Sequence, residues 1–294
     1  MQSEQFQLHA QIEQRHWWFV ARRQILRELV RTIAPNSKAA TAELADRKVV
    51  VDIGCGTGAN LAALAEEYQC VGIDTSAEAI SLARRRFPDI FFVCGFAPQD
   101  VAGFLRKAAV VMLTDVLEHV ADDRKLLASI VAACPAGAQI LITVPADMRL
   151  WSPHDVAFGH YRRYDDHSLA AVWAGLPVKP RLVSYFNRRL YPLVRAVRAV
   201  NHWRGRSSGE ANTDFALPAA PINSMLEKYF AGEARRLLRS IDRPSAGYRR
   251  GVSLIAILER ENVPLPAAKP VNLLALGGSP IELAASTIPT PIAL

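Results

Sequence analysis

Apolar positions over residues 3–33 recur at three- and four-residue spacings. They run through Phe6, His9, Ile12, Phe19, Ile25, Leu26, Leu29, Val30 and Ile33, and predict helix. His16-Trp17 opens the second of two N-terminal helices, and Pro35-Asn36-Ser37 stops the pattern. The rhythm then changes. Short unbroken apolar runs at 49–53, 70–74, 90–94, 109–114 and 139–144 alternate with helical segments at 59–67, 76–86, 98–106 and 122–133. Apolar runs without alternation suit strands buried on both faces of a parallel sheet. Strand–helix units in series predict a doubly wound α/β core. Two further strands at 181–186 and 252–258 complete a mostly parallel, seven-stranded, Rossmann-like sheet.

Between those last two strands lies an insertion of about 188–247, read as a helical lid. Its clearest helix starts at Tyr191-Pro192, where proline suits a first turn. Leu193, Val197 and Val200 fall on one face, Arg195 and Arg198 on another. The expected organisation is a helical cover over 1–36, a core over 37–262 and a Pro-rich tail over 263–294. The tail holds six prolines and two glycines in 32 residues and is not expected to fold.

The chemistry concentrates where strands end. Asp52-Ile53-Gly54-Cys55-Gly56-Thr57-Gly58 closes the first strand. Glycines there permit positive φ and a close approach of backbone to ligand, and the following helix offers free N–H groups. Asp74 ends the second strand, where a carboxylate can accept both hydroxyls of a ribose. An adenosine-type cofactor across the strand ends is implied. Gly54-x-Gly56-x-x-Ala59 also satisfies the dinucleotide fingerprint, so an NAD-dependent oxidoreductase is the alternative. Asp52 argues against it, because a pyrophosphate beside that carboxylate meets a like charge. Asp52 suits a cofactor carrying an ammonium and a sulfonium.

Thr114-Asp115-Val116-Leu117-Glu118-His119 closes the fourth strand. With the 51–58 loop and Asp74, the Asp115–Val120 stretch resembles the signature of class I S-adenosylmethionine (SAM) dependent methyltransferases, in order and spacing, over 49–145. The resemblance implies that Asp52 and the loop Gly54, Cys55, Gly56, Thr57 and Gly58 hold the methionine moiety. It implies that Asp74 holds the ribose, and that Thr75 and Ser76 lie near the adenine edge, with Asp115 and Val116 also in the cofactor site. The product would be S-adenosylhomocysteine. The family commonly has an acidic residue before Ala after the third strand. Here the pair is Phe96-Ala97, which can stack on adenine but cannot accept its amino hydrogen bond.

Two further segments carry candidate chemistry. In His16-Trp17-Trp18-Phe19-Val20-Ala21-Arg22-Arg23 the adjacent indoles point roughly 100° apart on a helix. One of Trp17 and Trp18 is expected to cover cofactor or substrate, and Arg22 or Arg23 to pair with the methionine carboxylate. The second segment, 150–164, follows the fifth strand as a loop holding His154, Asp155, His160, Tyr161, Arg162 and Arg163. A hydroxyl acceptor benefits from a base near neutral pKa, so His160 or His154, oriented by Asp155, is the expected base, with His119 a further candidate. Tyr161, Arg162 and Arg163 are expected at the substrate. The two segments, with Gly251-Val252-Ser253-Leu254, resemble a methyltransferase subgroup associated with glycan, lipid-linked saccharide or natural-product modification. That resemblance covers roughly 3–260 and implies an O-methyltransferase. Asp115-x-x-Glu118-His119 also resembles a Mg²⁺-binding arrangement of ubiquinone-type O-methyltransferases. Glu118 and His119 recur without metal, so no metal is expected.

Charge refines the acceptor. The net charge is +7, from 35 Lys+Arg against 28 Asp+Glu. Residues 151–262 hold 18 basic and 10 acidic side chains, so the excess sits beyond the cofactor segment. Arg188, Arg189, Arg195, Arg198, Arg204 and Arg206, then Arg235, Arg236, Arg239 and Arg243, predict an anionic acceptor or contact with an anionic membrane surface. A non-catalytic SAM-binding protein at such a surface is a third reading. Nucleic acid is disfavoured, since no aromatic-basic RNA platform is present. Cys55, Cys70, Cys94 and Cys134 form no C-x-x-C pair, and the polar N-terminus lacks a signal-peptide stretch. A cytoplasmic location is expected.

Overall fold

The structure is a computed structural model and describes residue 7 and residues 10–36, 47–203, 217–243 and 246–263. Arg204, Arg206 and the Pro-rich stretch from 264 onward lie outside the described residues.

The apolar runs form β1 (Val49–Ile53), β2 (Gln69–Asp74), β3 (Phe91–Cys94), β4 (Ala108–Thr114), β5 (Gln139–Pro145), β6 (Val178–Phe186) and β7 (Ser253–Arg260). They make one seven-stranded sheet in the order β3-β2-β1-β4-β5-β7-β6. Pairings from β3 through β5 are parallel, whereas β7 runs antiparallel between β5 and β6. The order reverses direction at β1, so the chain crosses from one half of the sheet to the other beside the glycine loop. Ligands of open α/β sheets bind in the crevice at that switch point.

Alternate strand residues feed two cores. On one face Val49, Val51 and Ile53 pack with α4 (Ala102–Leu105), α5 (Asp123–Ala133) and α7 (Asp166–Trp173) through Leu105, Leu127, Ile130, Leu169 and Val172. On the other, Val50, Val110 and Met112 meet α1 (Trp17–Ile33) and α3 (Ala77–Arg86), together with α9 (Ala220–Ala231) and α10 (Ala234–Ser240) from the insertion. The α1 stripe Ala21, Ile25, Leu29 and Ile33 lies inside this core. The expected N-terminal cover is thus a layer of the sandwich, and truncating Ile25 to Ala should destabilise by about 2–5 kcal/mol.

The second N-terminal helix opens at His16-Trp17. His16 N–H donates to the Ile12 carbonyl, and the His16 ring then caps α1 by accepting from Trp18 N–H at 3.3 Å. The helix expected over 59–67 is only α2 (Ala59–Ala62). The chain turns after it so that Glu67 meets Arg27 and Arg31 of α1 at 2.9 and 2.6 Å. The 150–164 loop contains α6 (Pro153–Ala157), opened by Pro153. The remaining insertion helix, α8 (Tyr191–Trp203), leaves Leu193 and Val200 exposed.

Candidate functional site

The turn after β1 is shaped by glycine. Gly54, Gly56 and Gly58 have φ of 69°, 53° and 84°, in the left-handed region that side chains disfavour. A Cβ on Gly54 would lie 2.6 Å from Val116 Cγ2, whereas one on Gly56 would meet nothing within 4 Å. Gly56 therefore faces open space and Gly54 is pressed onto the end of β4. Asp74 braces the loop from β2. Its Oδ2 accepts Gly56 N–H at 2.9 Å and its Oδ1 accepts Ser76 N–H at 2.8 Å. Each carboxylate oxygen keeps a second lone pair for a ligand donor.

Asp52 lies beneath this loop, fully buried, and neither carboxylate oxygen has a hydrogen-bond partner. Burial, countered by Arg22 and reinforced by Asp74 and Asp115, pushes its carboxyl up to about 8. A buried carboxyl without donors is costly, and it marks a place where a cation from a ligand fits.

Arg22 enters the strand ends from α1. Its Nη2 sits 2.7 Å from Asp115 Oδ2 and donates to Thr143 Oγ1 at 2.7 Å, while its guanidinium lies over the Trp18 ring at 5.2 Å. Thr143 donates onward to Asp115 Oδ1 at 3.0 Å. Arg22 is thus tied to β4 and β5. Glu13 is a second tie that sequence reasoning missed. It accepts from Thr57 Oγ1 at 2.8 Å and pairs with Arg86. A lone Glu in a helical stretch gives no sequence signal; Thr143 gives one, as a hydroxyl inside an apolar strand. Trp17 packs edge-on against Phe230 of α9, so the two indoles do diverge, one toward the insertion and one toward Arg22.

At the turn after β3 Phe96 is 69% exposed, and its N–H donates to Asp100 Oδ2 at 2.7 Å. The acidic group near this turn therefore comes from Asp100. Thr75 is exposed at the end of β2, and the Ser76 hydroxyl caps α3 by accepting from Ala79 N–H.

The stretch after β5 converges on Asp155, which is fully buried. Arg163 Nε donates to its Oδ1 at 2.8 Å, Ser152 N–H to its Oδ2 at 2.9 Å, and His160 Nδ1 lies 2.9 Å from Oδ1. Burial opposes ionisation, but the His160 and Arg163 contacts outweigh it and hold the carboxyl well below the usual range. An ionised carboxylate only accepts, so Nδ1 carries the proton and Nε2 presents its lone pair. His119 packs edge-on against the His160 ring at 4.7 Å. Burial, with His160 alongside, pushes His119 down to about 4, so it is neutral at pH 7. Glu118 is buried with both oxygens unpartnered, and burial followed by the charge of Asp115 drives its carboxyl well up.

Glu118, His119 and His160 offer one ligand atom each within 4.8 Å of one another. This is the place among the described residues where a cation would be held. Asp115, grouped with Glu118 and His119 by sequence spacing, faces Arg22 and Thr143 instead. His154 stacks on Phe158 at 4.3 Å, and the Asp155 partner is His160.

The arginines expected at the substrate each have a carboxylate partner. Arg162 pairs with Asp123 at 3.0 Å and Arg163 with Asp155, so both charges serve the fold, whereas Tyr161 is 62% exposed. The insertion arginines divide as well. Arg189 donates to the Tyr229 carbonyl, Arg198 to the Leu150 carbonyl and Arg236 to the Ala246 carbonyl, and Arg188 lies over Tyr248. Arg195, Arg235, Arg239 and Arg243 are exposed. Among the described residues no helix is long and apolar enough to cross a membrane.

Comparison with known proteins places this geometry. Trans-aconitate 2-methyltransferase of Azoarcus sp. (strain BH72) is 29% identical over 120 residues, 39% of this chain and 46% of that protein. The protein of the same name from Variovorax paradoxus (strain S110) is 30% identical over 122 residues, 39% of this chain and 45% of that one. The chain spans about half the length of these curated relatives. Among solved structures, Haemonchus contortus phosphoethanolamine N-methyltransferase 2, in complex with S-adenosyl-L-methionine, has a TM-score of 0.47 at 16% identity, covering 81% of this chain and 52% of that one. Geranyl diphosphate C-methyltransferase from Streptomyces coelicolor A3(2) has a TM-score of 0.45 at 14% identity, covering 72% of this chain and 73% of that one. A protein family described as a methyltransferase domain matches residues 20–191, more than half of the sequence. The chain belongs to this methyltransferase-domain family.

Proposed function

We propose that this chain transfers the methyl group of SAM to an oxygen of a small-molecule acceptor and releases S-adenosylhomocysteine. The observation that carries the reading is Asp52, a buried carboxyl without a partner beneath an open glycine loop. The residues fit the cofactor. Asp52 receives an ammonium, Asp74 keeps lone pairs for ribose hydroxyls, and exposed Phe96 offers a ring to adenine. A pyrophosphate brings only acceptor oxygens to a loop that Asp74 already braces with acceptor oxygens of its own, which disfavours the dinucleotide reading.

SAM supplies a methyl group already bonded to a cationic sulfur, so the protein's task is alignment and proton removal. His160 Nε2 takes the proton of the acceptor hydroxyl as the oxygen attacks. Asp155 stabilises the resulting imidazolium, and Arg163 keeps Asp155 ionised and in place. His119 packs edge-on against the His160 ring with Glu118 beside it, and burial disfavours charge on both. The sequence relatives named for trans-aconitate methylation support a small, anionic acceptor.

Calorimetric titration of the full chain with SAM and, separately, NADH tests the reading. Saturable SAM binding with no NADH response is expected. Tight NADH binding without SAM binding would reverse it.

A further inference from the structure

A cavity of about 540 Å³ opens at the far end of the same sheet edge, between the turn after β5, the end of β6 and the approach to β7. Its volume falls in the range of small-molecule sites. Arg163 belongs both to its wall and to the Asp155–His160 group, so the two are contiguous. Four arginines line it: Arg149, Arg163, Arg249 and Arg250.

Two of the four are already paired, Arg149 with Asp147 at 2.8 Å and Arg163 with Asp155. Arg249 and Arg250 are exposed and make no hydrogen bond or ion pair with any described residue. Of the lining acids, Asp147 is engaged by Arg149 and Tyr191, and Asp165 caps α7 by accepting from Ser168 N–H at 2.7 Å. The rim therefore carries two cations that form no ion pair with a described carboxylate.

Their placement is fixed from both sides. Tyr248 is buried; its N–H donates to Ser184 Oγ at 2.8 Å and its carbonyl accepts from Tyr185 N–H at 3.1 Å. On the other side a Cβ at Gly251 would lie 2.3 Å from the Phe186 carbonyl oxygen, so only glycine lets the chain pass this close to β6. The pair between these anchors is held on the rim of the cavity, which Tyr185 and Tyr191 also line.

We propose that Arg249 and Arg250 anchor the anionic end of the methyl acceptor, a carboxylate or phosphate group, in this cavity. Strands lie about 4.8 Å apart, and β5, β7 and β6 follow β4 in order, so the anion sits roughly 10 Å along the edge from Asp115. The acceptor accordingly reaches from this seat, past Arg163, to a reacting oxygen near His160. This rests on the methyl-transfer reading for the reacting end only; the anion seat is tested apart from it.

The probes are citrate and pyrophosphate, titrated calorimetrically into the full chain with and without S-adenosylhomocysteine. The wild type is expected to bind at least one of them, with affinity falling as salt rises. Citrate alone would assign a carboxylate and pyrophosphate alone a phosphate. The double variant Arg249→Ala/Arg250→Ala is expected to lose at least tenfold in that affinity, and Arg249→Lys/Arg250→Lys to lose less. The control Arg235→Ala/Arg239→Ala should match the wild type. S-adenosylhomocysteine affinity should be the same in all four proteins. Equal anion affinity in the wild type and the Ala variant, or none in the wild type, would overturn the proposal. Anion binding that depends on the arginines in a protein that ignores S-adenosylhomocysteine would uphold the seat and defeat the methyl-transfer reading.

Discussion

The two halves of the sheet edge are built differently. On the β1–β2–β4 side, the groups that matter follow each strand within a few residues: Asp52 and the glycines, Asp74, then Asp115. Apart from the ties of Asp115 to Arg22 and of Thr57 to Glu13, their bonds are short in sequence or run between adjacent strands. On the β5–β7–β6 side, the Asp155–His160–Arg163 group is local to one segment, but the cavity beside it draws on Arg163, Tyr191 and Arg249, which come from separate segments and meet only once β7 has inserted antiparallel between β5 and β6. On the proposed reading, a cofactor common to many reactions is served by a local, repeatable motif, and the acceptor seat is assembled from distant pieces, each of which can vary independently.

The sharpest way to break this contrast is at Asp52. Asp52→Asn keeps the shape but removes the carboxylate that would face a cation. Donor affinity is expected to fall about 100-fold, consistent with roughly 3 kcal/mol for a charge-assisted contact. Stability should move the other way. Because the carboxyl is raised to about 8 in the fold, its uncharged form is favoured; its contribution is complete below the ordinary value of 3.8 and is lost as pH rises through about 8. The melting temperature of the unliganded wild type should therefore fall between pH 6 and pH 9 more steeply than that of Asp52→Asn. Parallel melting curves would remove Asp52 from its assigned place.

His160→Ala probes the other half. With an acceptor found by labelled-donor screening, kcat should drop about 10²–10⁴-fold while donor affinity stays unchanged. Turnover of the wild type should also be insensitive to chelator, because His160 Nε2 is assigned to the acceptor proton. Chelator-sensitive turnover restored by Mg²⁺ would convert the Glu118–His119–His160 group into a metal site.

The smallest expected effect joins the two halves. Arg22→Met leaves Asp115, 34% exposed, without its cation. Partial solvation limits the penalty to about 1–2 kcal/mol of stability, read by denaturant unfolding, with donor affinity weakened several-fold.

This contrast also explains what was legible beforehand. The strand runs, the glycine loop and Asp74 could be read because period, turn chemistry and ligand contact coincide within a few residues. The 59–67 helix was overextended because nothing local announces that Glu67 must reach Arg27 and Arg31. The pairing of Arg162 with Asp123 and of Arg163 with Asp155 is not legible in the sequence, because it arises only through the fold. Arg249 and Arg250 went unremarked for the same reason, since their interest lies in having no partner beside a cavity.

The most direct test is proton release on donor binding. Asp52, raised to about 8 by burial, is largely protonated at pH 7 and must ionise when an ammonium docks against it. Calorimetric titration of the full chain with SAM at pH 7, in two buffers of different ionisation enthalpy, should show saturable binding with close to one proton released, and none released by Asp52→Asn. Absence of SAM binding, or binding with no proton released, would contradict the assignment of Asp52 to the cofactor.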